Sequence, residues 1–352
     1  IFCNFDNEET PRAVGLSPYK GMITGAYDVL SRKNSKLTDK YLIYYFLYID
    51  DAKRFKPLYK GLRKTIPFDS FMSYKIPVPS IKEQDAIVTY LDTATAKIDA
   101  AIAQQQKMID LLNERKQIII NKTVTRGLNP NVKMKDSGVE WIGEVPEHWD
   151  VRKTLFCLSM PITDGPHETP QLYEDGIPFV SAEAVSCGNG RIDFDHIRGY
   201  ISKEFYDECC KKYIPKLHDI YMIKSGATTG KVAIVDTDRI FTIWSPLAVF
   251  RCDENVMCHD YMFYMLQSDL YQLQVKLGWS YGTQQNIGMR TLEKLKVPVP
   301  PINEQIEIAY RIFETSFNKH SGKTRAITPN IVGNLIKLLV LQYSSLNTSK
   351  VG

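Results

Sequence analysis

The sequence predicts an α+β protein made of two units of mixed short strands and helices, each followed by a long helix. Three observations lead to this prediction. A segment of the sequence recurs in the second half of the chain, one long segment without Gly or Pro has helical periodicity, and several short apolar runs are bounded by turn residues. The length of 352 residues agrees with it, since domains commonly hold about 150 residues.

The repeat is clearest where a proline-rich strand leads into a helix. Residues 75–84, KIPVPSIKEQ, align with residues 296–305, KVPVPPINEQ. Further matches, in the same register or shifted from it by a single position, are Gly61 with Gly282, Ile66 with Ile287 and residues 41–44 with 261–264. Chance is a poor explanation for matches that need only one change of register, so we expect two copies of one unit.

The first copy is expected to be the shorter one. The alignment places residue 1 close to Met222, so the segment 146–221 of the second copy has no counterpart in the first. The chain does not begin with Met, which favours an N-terminally truncated first copy over one that is simply smaller.

The first long helix is predicted over residues 80–126. It contains no Gly or Pro up to residue 124, and Gly127 and Pro130 follow it as helix-ending residues. Apolar residues recur in it at heptad spacing: Leu91, Ile98, Leu112 and Ile119. Because Gln105 interrupts this seam, we expect a short coiled coil rather than an extended zipper. Packing of the helix on the core of its own domain is the alternative.

A second helix is predicted over residues 304–318. Gly322, Pro329 and Gly333 then interrupt the pattern. Residues 335–343 are apolar again, so we expect a broken helix that meets the first one antiparallel.

Short strands and turns are predicted for the rest of the second copy. Residues 216–223 indicate a turn followed by a strand. Residues 232–235 and 247–250 indicate buried strands, and residues 261–270 indicate a helix. The segment 134–149 is a loop rich in Gly, Pro and Asp, and we expect it to be the boundary between the copies.

Composition excludes several classes of protein. Hydrophobic residues make up 44% and charged residues 24% of the chain, which excludes wholesale disorder. No apolar run approaches the roughly 18 residues of a membrane span, so no membrane partner is expected. Seven cysteines without metal-ligand spacing predict reduced thiols in the cytoplasm. The net charge of +4 permits a polyanionic partner without requiring one.

No catalytic or cofactor motif stands out in the sequence. Residues 226–232, GATTGKV, are one residue too short between the glycines for a phosphate-binding loop, and Val232 replaces its Ser or Thr. Residues 298–301, PVPP, lack the Asn or Asp that precedes the prolines of a methyltransferase loop. The histidines are scattered, without zinc-ligand or triad grouping. We therefore predict no catalytic residue and no metal ligand.

Two regions suit contact with nucleic acid. The first is a run of basic residues with Phe55 and Tyr59 between them: Lys53, Arg54, Lys56, Lys60, Arg63 and Lys64. Such a cluster neutralises phosphates and releases counterions, although an ordinary solvated basic face has the same composition.

The second region is a polar loop of amide side chains bounded by glycines, within residues 278–286. Its candidate DNA-contacting residues are Tyr281, Thr283, Gln284, Gln285 and Asn286. Gln and Asn can form two hydrogen bonds with an adenine edge, and Thr can contact a thymine methyl group, although on composition alone this is only a loop. In the turn of residues 226–232, Thr228 and Lys231 are candidates for contact with a DNA phosphate.

These motifs together resemble the specificity subunit of type I restriction–modification systems. Residues 79–84 and 300–305 resemble the Pro-Pro-Leu-x-Glu-Gln start of that family's two conserved helices, and residues 125–130 resemble its helix end. Residues 135–149, KDSGVEWIGEVPEHW, are similar to the family's linker into the second recognition domain. Recognition-domain landmarks match at residues 164–167, 176–181, 225–231 and 282–287.

The resemblance implies a fold of two target-recognition domains separated by two long antiparallel conserved helices, which form a coiled-coil spacer. The implied parts are the C-terminal part of the first recognition domain (1–79), the first spacer helix (80–126), a linker (127–145), the second recognition domain (146–300), the second conserved helix (301–345) and a tail (346–352). Each recognition domain is expected to read one half of a bipartite site in double-stranded DNA.

The resemblance also implies the partners. Modification subunits are expected to dock on the conserved helices, through Leu91, Ile98, Leu112 and Ile119 in the first helix. These subunits carry S-adenosylmethionine and methylate adenine N6. Restriction subunits join the complex and cleave DNA with ATP and magnesium. The specificity subunit itself is expected to hold no cofactor.

Two departures from the family leave alternatives open. The first recognition domain lacks its opening part, and Pro329 interrupts the second helix. The chain is therefore a working specificity subunit or an inactive, silent half-specificity cassette. The recognition part of a fused methyltransferase–nuclease is a further alternative, which a catalytic loop in adjoining sequence would support.

Overall fold

The structure is a computed structural model, and it contains two compact units. It describes residues 2–3, 14–17, 19–25, 27–32, 35–51, 53–62, 64–281 and 285–317. The units are residues 1–109 and 110–352, and each is described by itself. The division between them falls within one long helix.

The first unit is mainly helical. Its elements are β1 (Phe2–Cys3), β2 (Tyr27–Asp28), α1 (Asp39–Asp51), a 3-10 helix (Lys56–Leu58), α2 (Phe68–Met72) and the first part of α3 (Ile81–Arg126). β1 and β2 pair antiparallel. Phe55, Ile66 and Phe71 are buried in its core, and the rings of Phe55 and Phe71 lie 5.8 Å apart.

The helix predicted over residues 80–126 is present as α3, Ile81–Arg126. A reciprocal capping box starts it: the backbone N and the Oγ of Ser80 donate to Glu83 Oε2 at 2.9 and 2.7 Å, and Glu83 N donates back to Ser80 Oγ at 3.4 Å. Gly127 ends it with a φ of +72°, a conformation that glycine adopts without strain, and donates its N–H to Thr123 O.

The second unit mixes short strands and helices, as the sequence predicts. Its elements after α3 are β3 (Met134–Asp136), β4 (Glu144–Pro146), β5 (Asp150–Lys153), a 3-10 helix (Thr154–Cys157), β6 (Thr163–Asp164), β7 (Ile177–Val180), α4 (Ala182–Cys187), a 3-10 helix (Phe194–His196), β8 (Tyr200–Ile201), α5 (Lys203–Cys210), β9 (Ile220–Ile223), β10 (Val232–Ile234), β11 (Thr242–Ile243), β12 (Leu247–Phe250), α6 (His259–Gln267), α7 (Asp269–Leu277), β13 (Ser280–Tyr281), β14 (Gln285–Asn286), α8 (Met289–Lys294), β15 (Lys296–Val299) and α9 (Ile302–Phe317).

The largest sheet of the second unit has four antiparallel strands in the order β10-β9-β12-β6. A three-stranded sheet has the order β11-β7-β8, in which β11 and β7 are parallel. The remaining strands form antiparallel pairs: β3 with β4, β5 with β15, and β13 with β14.

The four-stranded sheet is buried on both faces and separates two hydrophobic cores. Along β9, Ile220 and Met222 belong to one core, while Tyr221 and Ile223 belong to the other. β12 alternates in the same way, because successive side chains of a strand point to opposite faces. The core that contains Ile220 also contains Trp149 and α6.

The strands predicted within residues 216–223, 232–235 and 247–250 are β9, β10 and β12. The helix predicted over residues 261–270 is instead two helices, α6 and α7. Ser268 separates them, because its hydroxyl accepts from the backbone N of Tyr271 and caps α7. The second long helix is described as α9 as far as Phe317, and the predicted interruptions and apolar segment beyond it lie outside the described residues.

A buried glutamine ties the start of α3 to the first unit. Gln84 is fully buried. Its Nε2 donates to Pro79 O at 2.9 Å and to Lys36 O at 2.7 Å. Its Oε1 accepts from Thr38 N at 2.8 Å. One side chain therefore satisfies three backbone groups.

Gln305 does the same in the second unit. It is also fully buried, and its Nε2 donates to Pro300 O at 2.8 Å and to Val256 O at 2.9 Å. Its Oε1 accepts from Cys258 N at 2.8 Å. These partners occupy the positions that align with the partners of Gln84, so the repeat in the sequence is also a repeat of contacts.

We predict that Gln305→Ala lowers the free energy of unfolding of the second unit by about 3 kcal/mol, because it leaves three buried backbone groups unsatisfied. Gln84→Ala is expected to have a similar effect on the first unit. Denaturant unfolding of the full chain measures both losses. Gln104→Ala, an exposed change on α3, is the control and should stay within about 0.5 kcal/mol of the parent. Equal stability of all three variants would contradict this role.

Candidate nucleic-acid interface

Two exposed basic residues of the first unit, Lys60 and Lys64, lie on a hairpin, here called the basic hairpin (residues 60–65). Lys60 and Thr65 exchange backbone hydrogen bonds of 2.8 and 3.1 Å. Gly61 and Lys64 between them have φ angles of +71° and +48°, which produce the tight turn. Lys60 and Lys64 are exposed, while Arg63 lies outside the described residues.

Two other residues of the basic run, Lys53 and Arg54, contact side chains of the protein itself. Lys53 forms an ion pair of 3.3 Å with the buried Asp50. The guanidinium of Arg54 lies 4.2 Å from the ring centroid of Tyr48. Lys56 is exposed, in the 3-10 helix. Phe55 is buried in the core, so it does not lie between the basic side chains at the surface, contrary to the sequence interpretation.

The amide side chains predicted to contact DNA lie on a second hairpin, the amide hairpin (residues 280–286). Its strands are β13 and β14, with Ser280 opposite Asn286 and Tyr281 opposite Gln285. The side chains of Gln285 and Asn286 are exposed. Thr283 and Gln284 lie outside the described residues.

The two hairpins occupy equivalent positions in the repeat. The alignment of the two copies places residues 60–65 on residues 281–286. A buried isoleucine follows each hairpin, Ile66 in the first unit and Ile287 in the second. Each unit thus presents one exposed hairpin anchored by the same buried position.

A second segment pairs with the amide hairpin inside the second unit. It is the glycine turn (residues 225–231), which follows β9. The backbone N of Gly226 donates to Gln285 O at 3.0 Å, and the backbone N of Ile287 donates to Lys224 O at 2.9 Å. The two segments that the sequence suggested separately for DNA contact are therefore neighbours.

The side chains of the glycine turn differ in exposure. Thr228 is half-buried and Lys231 is exposed. The Lys231 ammonium lies 3.4 Å from Ser186 O. Gln272 stabilises the turn, because its Nε2 donates to Gly230 O at 2.8 Å. An ammonium and a fixed turn with a glycine at each side suit contact with a phosphate rather than with a base edge.

A buried carboxylate lies behind the glycine turn, and sequence reasoning assigned it no role. Asp164 has no exposed surface and accepts from Lys212 Nζ at 2.5 Å. The ammonium of Lys224, one residue before the turn, lies 3.3 Å from its Oδ2, and His167 Nε2 lies 3.1 Å from the same oxygen. Gly165 beside it has no room for a side chain, since a Cβ would lie 2.0 Å from Ile243 O.

A polar network supports the opposite end of β9. Arg251 donates to both carboxylate oxygens of Asp219, at 2.7 and 2.8 Å. The hydroxyl of Tyr213 donates to Asp219 Oδ2 at 2.5 Å. Burial raises the pKa of Tyr213, so its phenol stays protonated and remains a donor. The strand that ends in the glycine turn is thereby fixed at its start.

The middle of α3 is exposed on every side from residue 95 to residue 115. Helical spacing nevertheless places four apolar side chains on one face, here called the exposed stripe: Ile98, Ile102, Ile109 and Leu112. Ile98 is 58% and Ile102 62% exposed. Of the predicted partner-binding residues, Ile98 and Leu112 belong to this stripe and Leu91 is half-buried. Ile119 packs against the core of the second unit.

Within the described residues, no helix combines the length and the apolar character that crossing a membrane requires.

Comparison with known proteins links this arrangement to one family. The family described as the type I restriction modification DNA specificity domain matches residues 14–110 and 168–349. The chain is 24% identical over 298 residues to the type I restriction enzyme MjaVIII specificity subunit of Methanocaldococcus jannaschii, covering 83% of this chain and 67% of that protein. It is 24% identical over 272 residues to the type I restriction enzyme EcoBI specificity subunit of Escherichia coli, covering 74% of this chain and 56% of that protein.

A solved structure on the complex assembly and conformational transition of the type I R-M system contains a chain of similar fold. The TM-score is 0.54 at 16% identity, and the match covers 78% of this chain and 62% of that chain. This chain therefore spans less than two thirds of that neighbour's length. Because the family match extends over most of its residues, the chain belongs to the family of type I restriction modification DNA specificity domains.

Proposed function

We propose that this chain is a sequence-specific subunit that binds double-stranded DNA and gives target specificity to a type I restriction–modification complex. Family membership supports this, as do relatives that are named specificity subunits. The structural observation on which the proposal rests is the exposed hairpin at the same point of both repeats, one in each unit.

The two hairpins contact different parts of the DNA in this proposal, because their side chains differ in chemistry. On the basic hairpin, Lys60 and Lys64 contact phosphates, with Arg63 beside them in sequence. On the amide hairpin, Gln285 and Asn286 read base edges, and the same role is proposed for Tyr281, Thr283 and Gln284. Lys53, Arg54, Lys56, Thr228 and Lys231 complete the proposed DNA-contacting set. Each unit reads one half of a bipartite site.

The exposed stripe supports a docking role for α3. Apolar side chains that remain in water are stabilised when a partner buries them, by about 25 cal/mol for each Å². We assign the stripe to the modification subunits.

The proposed division of the chain is recognition domain 1–79, spacer helix 80–126, linker 127–145, recognition domain 146–300, second conserved helix 301–345 and tail 346–352. The two helices set the spacing between the half-sites.

The remaining parts of the system belong to the partners. The modification subunits hold S-adenosylmethionine, the restriction subunits use ATP and magnesium, and this chain does no chemistry. The likeness to a chain of a type I R-M assembly supports such partners. The cysteines between residues 157 and 258 are free thiols, which suits the cytoplasm. Relatives named as specificity subunits do not favour a fused methyltransferase–nuclease.

Selection from a random duplex library tests the proposal. The full chain is co-expressed with a modification subunit from its own genome, the complex is purified, and the bound DNA is sequenced. We expect two short motifs at a fixed spacing, one for each unit. A single motif would confine base reading to residues 146–300 and contradict the two-domain proposal. A chain that neither assembles nor enriches DNA would be a silent cassette, and the proposed function would be wrong.

We predict that Gln285→Ala combined with Asn286→Ala relaxes one half-site and leaves the other unchanged. Each lost bidentate contact should reduce discrimination against the wrong base by about 1–3 kcal/mol. Competition binding with duplexes altered in one half-site measures this loss. Asn131→Ala, an exposed amide of the linker, is the matched control. If the double variant kept full discrimination at both half-sites, the amide hairpin would not be a reading element.

We predict that Ile102→Glu combined with Ile109→Glu abolishes assembly with the modification subunit. Both side chains are exposed in the chain itself, so its unfolding free energy should change by no more than about 0.5 kcal/mol. Co-purification and the mass of the complex measure assembly. Ala100→Glu introduces one carboxylate, half of the added charge, on the opposite face of α3 and should leave assembly intact. Loss of assembly with Ala100→Glu as well would point to charge rather than to the stripe.

A further inference from the structure

A second cluster of side chains lies at the end of β9 that is far from the glycine turn. His218 precedes β9, Glu254 follows β12 and His259 begins α6. Since β9 and β12 are antiparallel, with Ile220 opposite Phe250, the start of one strand meets the end of the other. Topology therefore brings together three segments that are distant in sequence.

The three side chains converge closely. One potential ligand atom from each of His218, Glu254 and His259 lies within 4.8 Å of the other two. His259 Nδ1 lies 2.8 Å from Glu254 Oε1. Two imidazoles and one carboxylate form a donor set that zinc-like divalent ions prefer.

The second nitrogen of His259 is buried beside a carboxylate. The side chain is 5% exposed, and its Nε2 is buried without a hydrogen-bond partner among the described residues. Asp260 Oδ2 lies 3.6 Å from this nitrogen. If Nδ1 binds an ion, the ring proton must be on Nε2, where it faces this carboxylate. Metal-bound histidines commonly have a carboxylate in this position.

His218 stacks on His259 and would have to change its side-chain conformation to bind the same ion. Its backbone is held at a φ of +71° by a hydrogen bond of 2.9 Å from its N to Val235 O. Its ring stacks on that of His259 at 3.8 Å and 13° between planes. Stacked rings have parallel lone pairs, so binding one shared ion requires the half-buried His218 ring to turn out of the stack. Asp219 next to it bonds Arg251 with both carboxylate oxygens and does not compete.

We propose that His218, Glu254 and His259 bind one divalent ion of the zinc class, with the fourth position open to water. The ion joins the turn before β9, the turn after β12 and the start of α6, and so stabilises the second unit at a distance from the amide hairpin. Sequence analysis predicted no metal ligand because no two of these residues have metal-ligand spacing.

Titration of the chelator-treated full chain with Zn²⁺ tests this proposal. We expect one ion bound per chain by calorimetry and a higher midpoint of thermal unfolding. Co²⁺ should give the d–d absorption of a site with nitrogen and oxygen ligands. His218→Ala and Glu254→Gln should each weaken Zn²⁺ binding about tenfold or more and remove the thermal shift. Both residues lie outside the fully buried core, so the variants should fold, which circular dichroism verifies.

His196→Ala is the control for adventitious binding, because His196 is exposed and pairs with Asp193 outside this cluster. Zinc binding should be the same in this variant and in the parent. The proposal is overturned if the parent binds no Zn²⁺ below about 100 µM, or if His218→Ala and Glu254→Gln bind it as tightly as the parent. The outcome is independent of DNA binding, so it can fail while the proposed function holds.

Discussion

The primary amide of one buried glutamine at the start of each long helix is the interaction on which both units depend. Gln84 and Gln305 each face two backbone carbonyls and one backbone N–H. Only an amide side chain offers two donors and an acceptor at once, and Asn is one methylene too short to replace it without movement. The amide joins the helix to the preceding proline-rich segment and to the loop before another helix.

The two copies differ one turn earlier, with structural consequences. Ser80 and Glu83 form a capping box in the first copy, whereas Pro301 replaces the serine in the second and has neither hydroxyl nor N–H. Glu304 is therefore available to accept from Trp149 Nε1 at 3.0 Å and from His148 Nε2 at 2.8 Å. Trp149 is fully buried in the hydrophobic core of the second unit. The segment 134–149, predicted as a loop, contains β3 and β4 and is packed against the start of α9.

Helices and strands could be predicted from the pattern of residues within each segment. Contacts between segments that are distant in the sequence could not. The absence of Gly and Pro over residues 81–124 predicted α3, and apolar runs predicted β9 and β12. The burial of Phe55 was missed because its basic neighbours suggest a surface. The pairing of the glycine turn with the amide hairpin was also missed. Backbone hydrogen bonds between segments far apart in the sequence make this pairing. Such bonds do not require particular side chains, so the sequence does not indicate them.

If the proposed DNA contacts hold, the hairpins explain how one framework can present different recognition residues. Ile66 and Ile287 are buried immediately after the hairpins and hold each hairpin in its unit. Exposed hairpin residues contribute little to either core: Leu62 of the basic hairpin is fully exposed, and Gln285 and Asn286 of the amide hairpin are exposed. Substitutions at exposed positions usually change the free energy of unfolding by less than about 0.5 kcal/mol, so exposed hairpin residues can vary without loss of the fold. Lysines can therefore occupy exposed positions of one hairpin and amides those of the other, although the buried anchors are alike. On the proposed function, a change of DNA target requires changes at exposed hairpin positions, whereas a change at the buried glutamine or isoleucine alters the framework that holds the hairpins.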